Sequence, residues 1–282
     1  TSMAASMSDR RLPWTMLLLC LILSTPAHAG RLPDGGTARA GGSGIVAAWY
    51  EDPTSRYDHG ILGDAIEAGT LVARDSKGNS HAIVLPESEV FEDITPRLAD
   101  LDGDGNAEVI AIRSSLSAGA SLAIYGLRDG KLQMVAATPF IGRAHRWICP
   151  AGIADFDGDG RVEIALVATP HIGGTLEFWR LRGSGLSRIA ALGGFSNHTI
   201  GSRNLAEAAT GDVDGDGVPE LVLPDATRTS LAAVALQGSR AIILDKQPLG
   251  GTATGSIRLD GANAQVDTSA GRRRITFAVP RR

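Results

Sequence analysis

Three copies of one acidic loop constrain the fold of this chain more than any other feature. The copies are ADLDGDGNAEVIAI (99–112), ADFDGDGRVEIALV (154–167) and GDVDGDGVPELVLP (211–224). Their first aspartates, Asp100, Asp155 and Asp212, stand 55 and 57 residues apart. A period of this size indicates a series of similar structural units rather than one irregular domain.

Each acidic loop leads into a similar series of short apolar runs. After the first loop these runs are EVIAI, SLAIYGL and KLQMVAAT, with the compact turn RDGK between the last two. The runs have the length and the branched or aromatic residues of β-strands, and the tight turns are typical of hairpins. A further short run before each loop, such as PRLAD, brings the count to four strands. Four antiparallel strands in about fifty residues predict a propeller blade.

Two degenerate units flank the three acidic ones. GIVAAWY and AGTLVARDSKGNSHAIVL precede them and SIRLDGANAQVDT follows them, and both units lack the acids. We therefore predict an all-β fold, a β-propeller of about five four-stranded antiparallel blades. The expected units are 44–96, 97–150, 151–207, 208–252 and 253–282. The last run, RRITFAV, is expected to complete a blade with the N-terminal segment and close the ring; an open stack of hairpins with exposed edges is the alternative.

The acids of each loop are spaced to surround a hard cation with oxygen atoms. In the pattern DxDGDGxxE, side chains at positions 1, 3, 5 and 9 and the carbonyl of position 7 can serve as ligands. Calcium accepts six to eight oxygens, whereas zinc prefers Cys or His. An EF-hand would need Glu at position 12 and flanking helices, and solvated turns without metal are the other alternative. We expect about three structural Ca²⁺ ions, with the ligands Asp100, Asp102, Asp104, Asn106, Glu108, Asp155, Asp157, Asp159, Arg161, Glu163, Asp212, Asp214, Asp216, Val218 and Glu220.

These repeats resemble the FG-GAP and VCBS repeats of integrin α-subunit propellers and of many secreted bacterial proteins. The resemblance covers roughly residues 44–266, strongly in the three acidic units and weakly in the flanking two. It implies that calcium sits in the hairpin between the first two strands of a blade and stabilises that blade. The two units without acids should bind no calcium.

The N-terminal residues have the pattern of an export signal. Arg10 and Arg11 precede the apolar run WTMLLLCLIL, and small residues end at Ala29, where we expect cleavage. The run is too short for a typical membrane anchor, which is the alternative. The expected mature chain therefore has no transmembrane segment, begins with a flexible segment at 30–43, and is secreted or periplasmic. It keeps a single cysteine, Cys149, which we expect to be a small buried hydrophobe.

Polar residues gather in the connections that should lie opposite the acidic loops. Antiparallel order places the connections YDHGILGDAIE, FIGRAHRW, PHIGG and GFSNHTIGSRN around one mouth of the propeller. Loops on a rigid scaffold are frequent binding sites, although inter-blade connections also need polar residues for their own backbone. The candidate ligand-binding residues are Arg143, His145, Arg146, Trp147, His171, Asn197, His198 and Arg203, with His59, Asp64 and Glu67 at the same mouth.

The sequence favours a binding or adhesion module over an enzyme. It contains no GxSxG, HExxH or convincing phosphate loop, and no catalytic residue is assigned. A net charge of -4 gives no basic footprint for nucleic acid. We expect an extracellular or periplasmic protein or glycan as the partner. The alternatives are a glycan lyase or hydrolase acting at the mouth, and a structural subunit of an envelope complex.

Overall fold

The protein is described from a computed structural model, which covers residues 30–279 together with Thr1. The predicted export signal and its cleavage site lie outside these residues. The described part is all-β, with twenty strands. None of its elements is a helix capable of crossing a membrane.

The first nine strands form one large sheet. Its strand order is β1-β2-β3-β5-β7-β8-β9, with β4 paired to β3 and β6 paired to β7. The short β5 and a parallel contact of β2 with β7 join what would otherwise be two four-stranded units. The bounds are β1 Thr37–Arg39, β2 Ser43–Thr54, β3 Glu67–Asp75, β4 Ser80–Val84, β5 Glu89–Phe91, β6 Arg97–Ala99, β7 Asn106–Ser115, β8 Gly119–Arg128 and β9 Lys131–Ala137.

Three smaller antiparallel sheets follow in chain order. Two have four strands, β10-β11-β12-β13 and β14-β15-β16-β17, and the last has three, β18-β19-β20. The bounds are β10 Ile148–Ala154, β11 Glu163–Ala168, β12 Thr175–Arg182, β13 Gly185–Gly193, β14 Ala209–Gly211, β15 Glu220–Pro224, β16 Ser230–Gln237, β17 Arg240–Pro248, β18 Arg258–Asp260, β19 Asn263–Thr268 and β20 Gly271–Thr276. The four-stranded units predicted after the acidic loops are thus formed.

Successive units pack face to face through apolar cores. Tyr50 and Tyr125 belong to the core between the β1–β4 and β6–β9 units, and Phe178 belongs to the core between the β10–β13 and β14–β17 sheets. The first strands β10, β14 and β18 contact one another in turn, as do the last strands β4, β9, β13 and β17. In a propeller, the first strands of successive blades contact one another near the axis, and the last strands contact one another at the rim. The sheets have this arrangement. The number of blades stays a prediction.

The two ends of the chain do not pair as the sequence suggested. The final strand β20 pairs with β19 inside its own sheet, because the tight turn at Ser269–Ala270 places the two strands side by side. The N-terminal β1 pairs with β2 instead. The segment 30–43, which we expected to be flexible, is therefore partly ordered, and Leu32 within it is buried at 3% exposure because it packs into the core between the first two units.

The long β2–β3 connection, residues 55–66, crosses from the first unit towards the third and fourth. Ile61 and Leu62 are buried in the core that also contains Trp147 of the β9–β10 connection. The backbone N–H of Gly201, in the β13–β14 connection, donates to the carbonyl of Ile61 at 2.9 Å. This segment therefore fastens distant units together at the end of the fold opposite the acidic loops.

Candidate metal loops and ligand pocket

The three acidic loops share one set of side-chain to backbone hydrogen bonds. In the first loop Asp100 accepts from the backbone N–H of Gly103 and Gly105, at 2.8 and 2.9 Å. The closing Glu108 accepts from the N–H of Leu101 at 3.0 Å, and Glu163 and Glu220 make the same bond in their loops. Positive φ at the glycine of position 6, 85° at Gly105, permits the reversal, which a side chain there would strain.

Each loop brings three carboxylates close enough to share one cation. Their oxygen atoms lie within 4.8 Å of one another in the groups Asp100, Asp102 and Glu108; Asp155, Asp157 and Asp159; and Asp212, Asp214 and Glu220. Burial raises the pKa of Glu108 to about 7, and the charges of Asp102 and Asp104 add to the rise. Carboxylates so placed repel one another unless a positive charge joins them, and the oxygen donors suit a hard cation such as calcium. Of the expected carboxylate ligands, Asp104, Glu163 and Asp216 lie outside these groups.

The second loop already contains a positive charge. The guanidinium of Arg180, on β12, donates from Nε to Glu163 at 2.5 Å, from Nη1 to Asp159 at 2.8 Å and from Nη2 to both oxygens of Asp157 at 3.0 Å. The Arg180 side chain is only 5% exposed. In the first loop Arg128 stands further away, 3.4 Å from Asp102 and 3.7 Å from Glu108, and is 39% exposed. The sequence interpretation missed Arg180, because an arginine seventeen residues after Glu163 gives no local signal.

A pocket lies at the opposite end of the fold. Four connections, 55–66, 138–147, 169–174 and 194–208, enclose a cavity of about 290 Å³. Predicted ligand-binding residues and unpredicted apolar residues line it together. The lining consists of His59, Ile61, His145, Arg146, Trp147, Thr169, Pro170, His171, Ile172 and Ile200.

Two histidines form a hydrogen-bonded pair at this pocket. Nε2 of His198 lies 2.9 Å from the carbonyl of Ser202, so it carries the hydrogen, and Nδ1 of His198 accepts from Nε2 of His171 at 3.1 Å. Burial lowers the pKa of both rings to about 4, with His198 lowering that of His171 and Arg228 that of His198. Both rings are therefore neutral at pH 7, and Nδ1 of His171 is left without a proton.

A second polar group approaches the pocket from the β2–β3 connection. Nδ1 of His59 lies 2.5 Å from Oε1 of the fully buried Glu92, to which the hydroxyl of Ser114 also donates. The ring of His145 lies 5.2 Å from that of His59, and its backbone N–H donates to Tyr57 at 2.8 Å. Burial raises the pKa of Glu92. The buried Glu92 thus contacts the inner side of the His59 ring. No sequence motif indicated this role.

Four of the predicted ligand-binding residues do not line this pocket. His198 is fully buried and contacts the lining residue His171. Arg143 is exposed beside it. Asn197 is fully buried and donates to the carbonyl of Pro150 at 3.0 Å, which is a structural role. Arg203 donates to Asp34 at 2.6 Å and to Asp64 at 2.5 Å, and so fastens the N-terminal segment and the crossing connection to residues 194–208.

Two of the five described non-glycine residues with positive φ line the pocket. His145 and Thr169 both line it and both have positive φ, 55° and 51°. Positive φ is costly for a residue with a side chain, and most of all for a β-branched one. Such strain persists where the surrounding structure fixes it, often at binding sites. A second cavity of about 390 Å³ adjoins at Thr169 and contains Trp179, whose indole N–H donates to Glu177 at 2.8 Å.

The repeats, the sheets and the acidic loops together define a class of protein, a repeat propeller with acidic hairpins. Comparisons with known proteins agree with the repeats and with the fold. The model of the FG-GAP-like repeat family matches residues 100–166 and 155–223. The chain therefore contains FG-GAP-like repeats, which confirms the resemblance of the acidic loops. No curated protein matches the chain.

Two solved structures show a similar fold. The rhamnogalacturonan lyase YesW has 16% sequence identity and a TM-score of 0.54, with 89% of this chain and 52% of that chain covered. The rhamnogalacturonan lyase PL11 of Bacillus licheniformis has 17% identity and a TM-score of 0.54, with 90% and 52% covered. The chain thus spans about half the length of these lyases, and at this identity the likeness concerns the fold alone.

Proposed function

We propose that this chain is an exported, calcium-stabilised propeller that binds a glycan in the pocket opposite its acidic loops. The observation that carries the proposal is the convergence of four connections on one pocket, which histidines, an arginine and apolar side chains line together. These groups come from separate units of the fold, and the acidic loops lie at its opposite end.

The chemistry of the pocket suits a carbohydrate that carries acidic groups. Ile172 and Ile200 are largely exposed at its edge, with 59% and 67% of their surface accessible, and offer apolar contact to a sugar ring. The unprotonated Nδ1 of His171 can accept from a hydroxyl group, and the guanidinium of Arg146 can pair with a carboxylate. The lyases with a similar fold are named for an acidic polysaccharide, rhamnogalacturonan, and this supports the same ligand class.

Calcium is the ion we assign to the first and third loops. Their donors are oxygens, their geometry is that of a flexible loop, and neither Cys nor His stands among them. In this role the ion neutralises the acids of a hairpin and so fixes the first two strands of the unit. Adhesion would be a consequence of glycan binding at the end of the fold opposite the acidic loops.

Binding of rhamnogalacturonan oligosaccharides by calorimetry tests the proposal. We expect Arg146→Ala to weaken binding at least tenfold, because a charged hydrogen bond to a carboxylate is worth about 1.5–3 kcal/mol. Arg182→Ala is the matched control, since Arg182 is exposed on β12 and does not line the pocket. Equal affinities of the wild type and Arg146→Ala, or no binding by either, would contradict the pocket assignment.

A lyase or hydrolase acting on the same glycan is the second candidate. The contact of His59 with the buried Glu92 favours it, because a carboxylate that orients an imidazole is a common arrangement in general acid-base catalysis. The unprotonated nitrogen of His171 could also accept a proton. Turnover of the oligosaccharide, followed by absorbance of an unsaturated product and by new reducing ends, distinguishes an enzyme from a binder. Loss of that turnover in His59→Ala with binding retained would establish the enzyme.

A further inference from the structure

We infer that Arg180 takes the place of the calcium ion in the second acidic loop, so that the three repeats bind two ions rather than three. This inference rests on the proposed calcium binding of the first and third loops. It concerns the loop whose sequence, DFDGDGRVE, matches the metal-binding pattern as fully as the other two. The reason for the difference lies outside the loop, on the neighbouring strand.

Strand register places Arg180 directly beside the second acidic loop. Arg180 pairs directly with Glu163, the last acid of the pattern. In the first and third units, continuing the paired register by one residue places Gly126 beside Glu108 and Ala235 beside Glu220. Neither glycine nor alanine has a side chain that can reach the acids, and Arg128, two residues further along β8, approaches the first loop only to 3.4 and 3.7 Å and is 39% exposed. The second unit therefore differs from these two in the residue paired with the closing glutamate, not in the loop itself.

The contacts of Arg180 are those of a resident cation. Its guanidinium bonds to carboxylates at positions 3, 5 and 9 of the loop, which are three of the four acids that would hold an ion. The planar group satisfies several carboxylate oxygens at once and cannot lose its proton. A calcium ion needs the same oxygens at about 2.3–2.6 Å, and a guanidinium among them would repel it.

The grouping of the acids differs accordingly. In the first and third loops the closing glutamate, Glu108 or Glu220, lies in the group of three converging acids, whereas Glu163 does not. Glu163 pairs with Arg180, and Asp159 completes the group of three in its place. The arginine thus neutralises part of the loop charge and also changes which oxygens converge.

Counting calcium ions by native mass spectrometry tests the inference, after chelator treatment and return to excess calcium. We expect two ions on the wild-type protein and three on Arg180→Met, which keeps an unbranched side chain but removes its charge. Arg182→Met is the control and should bind two. Three ions on the wild type would overturn the inference while upholding calcium binding.

A second pair of variants keeps the test decisive if Arg180→Met does not fold. Asp155→Asn should leave the wild-type count at two, whereas Asp100→Asn should reduce it to one. Loss of an ion in Asp155→Asn would overturn the inference. If the wild type bound no ion but Arg180→Met bound one, the role of Arg180 would be supported and the proposed calcium binding of the first and third loops would be contradicted. If neither protein bound an ion, both the inference and the proposed calcium binding would be contradicted.

Discussion

Glu67 is a buried acid whose environment disfavours its charge. It begins β3 with 2% of its surface exposed, and its Oε1 has no hydrogen-bond partner among the described residues. Burial, together with the charges of Glu92 and Asp64, raises its pKa to about 10. The carboxyl is therefore neutral at pH 7 in the folded protein, and it belongs to a residue that the sequence grouped with the polar residues of the mouth.

Replacing Glu67 with glutamine should stabilise the protein at neutral pH. In the unfolded chain the carboxyl ionises near pH 4.5, so between about pH 4.5 and 10 the folded state holds an extra proton and stability falls as pH rises. Glu67→Gln removes this dependence, and we expect a gain of about 2 kcal/mol at pH 7 that disappears towards pH 4. Chemical denaturation across this range measures it. The exposed Glu87→Gln should change little, and identical pH dependence of the wild type and Glu67→Gln would refute the assignment.

At the scale of elements, close backbone approach positions the histidine pair. Gly174, at the start of β12, accepts through its carbonyl from the N–H of Gly194 and Phe195, at 2.8 and 3.1 Å. A Cβ atom on Gly174 would lie 1.7 Å from the carbonyl oxygen of Phe195. The connection that carries His171 is thereby held against the segment that carries His198, so the pair depends on a glycine between two units.

Gly174→Ala should therefore damage both stability and the pocket. We expect a loss of about 2 kcal/mol or more, since the backbone of residues 194–198 must move, and weaker oligosaccharide binding. Gly193→Ala is the matched control, because a Cβ there meets nothing within 4 Å. Thermal denaturation and calorimetry measure the two effects. A Gly174→Ala protein as stable as Gly193→Ala would show that the approach is not rigid.

At the scale of the whole molecule, the acidic loops and the crossing connection stabilise opposite ends of the stacked sheets. We expect the melting temperature to rise by several degrees from chelator to millimolar calcium, because an ion that binds only the folded state stabilises it. At this chain length each kcal/mol corresponds to about 2–4 °C. Asp100→Asn combined with Asp212→Asn should remove the rise, whereas Asp155→Asn should leave it. Equal melting temperatures in chelator and calcium would contradict structural calcium.

The sequence by itself determined the repeats, the strands and the acidic hairpins of this protein. These features are local: the alternation of apolar residues, the tight turns and the spacing of acids within nine residues all act over short stretches of chain. Asp100 and Glu108, for example, are brought together by one loop whose conformation its own glycines permit. FG-GAP-like repeats were recognisable for the same reason.

Only the tertiary structure decided which side chains meet between strands and between units. Arg180 reaches the second loop because of the register of β12 against β11, and His171 meets His198 because two connections from different units pack together at Gly174. Such contacts join residues far apart in the chain, so no local pattern contains them, and they decide both the charge of the second loop and the shape of the pocket.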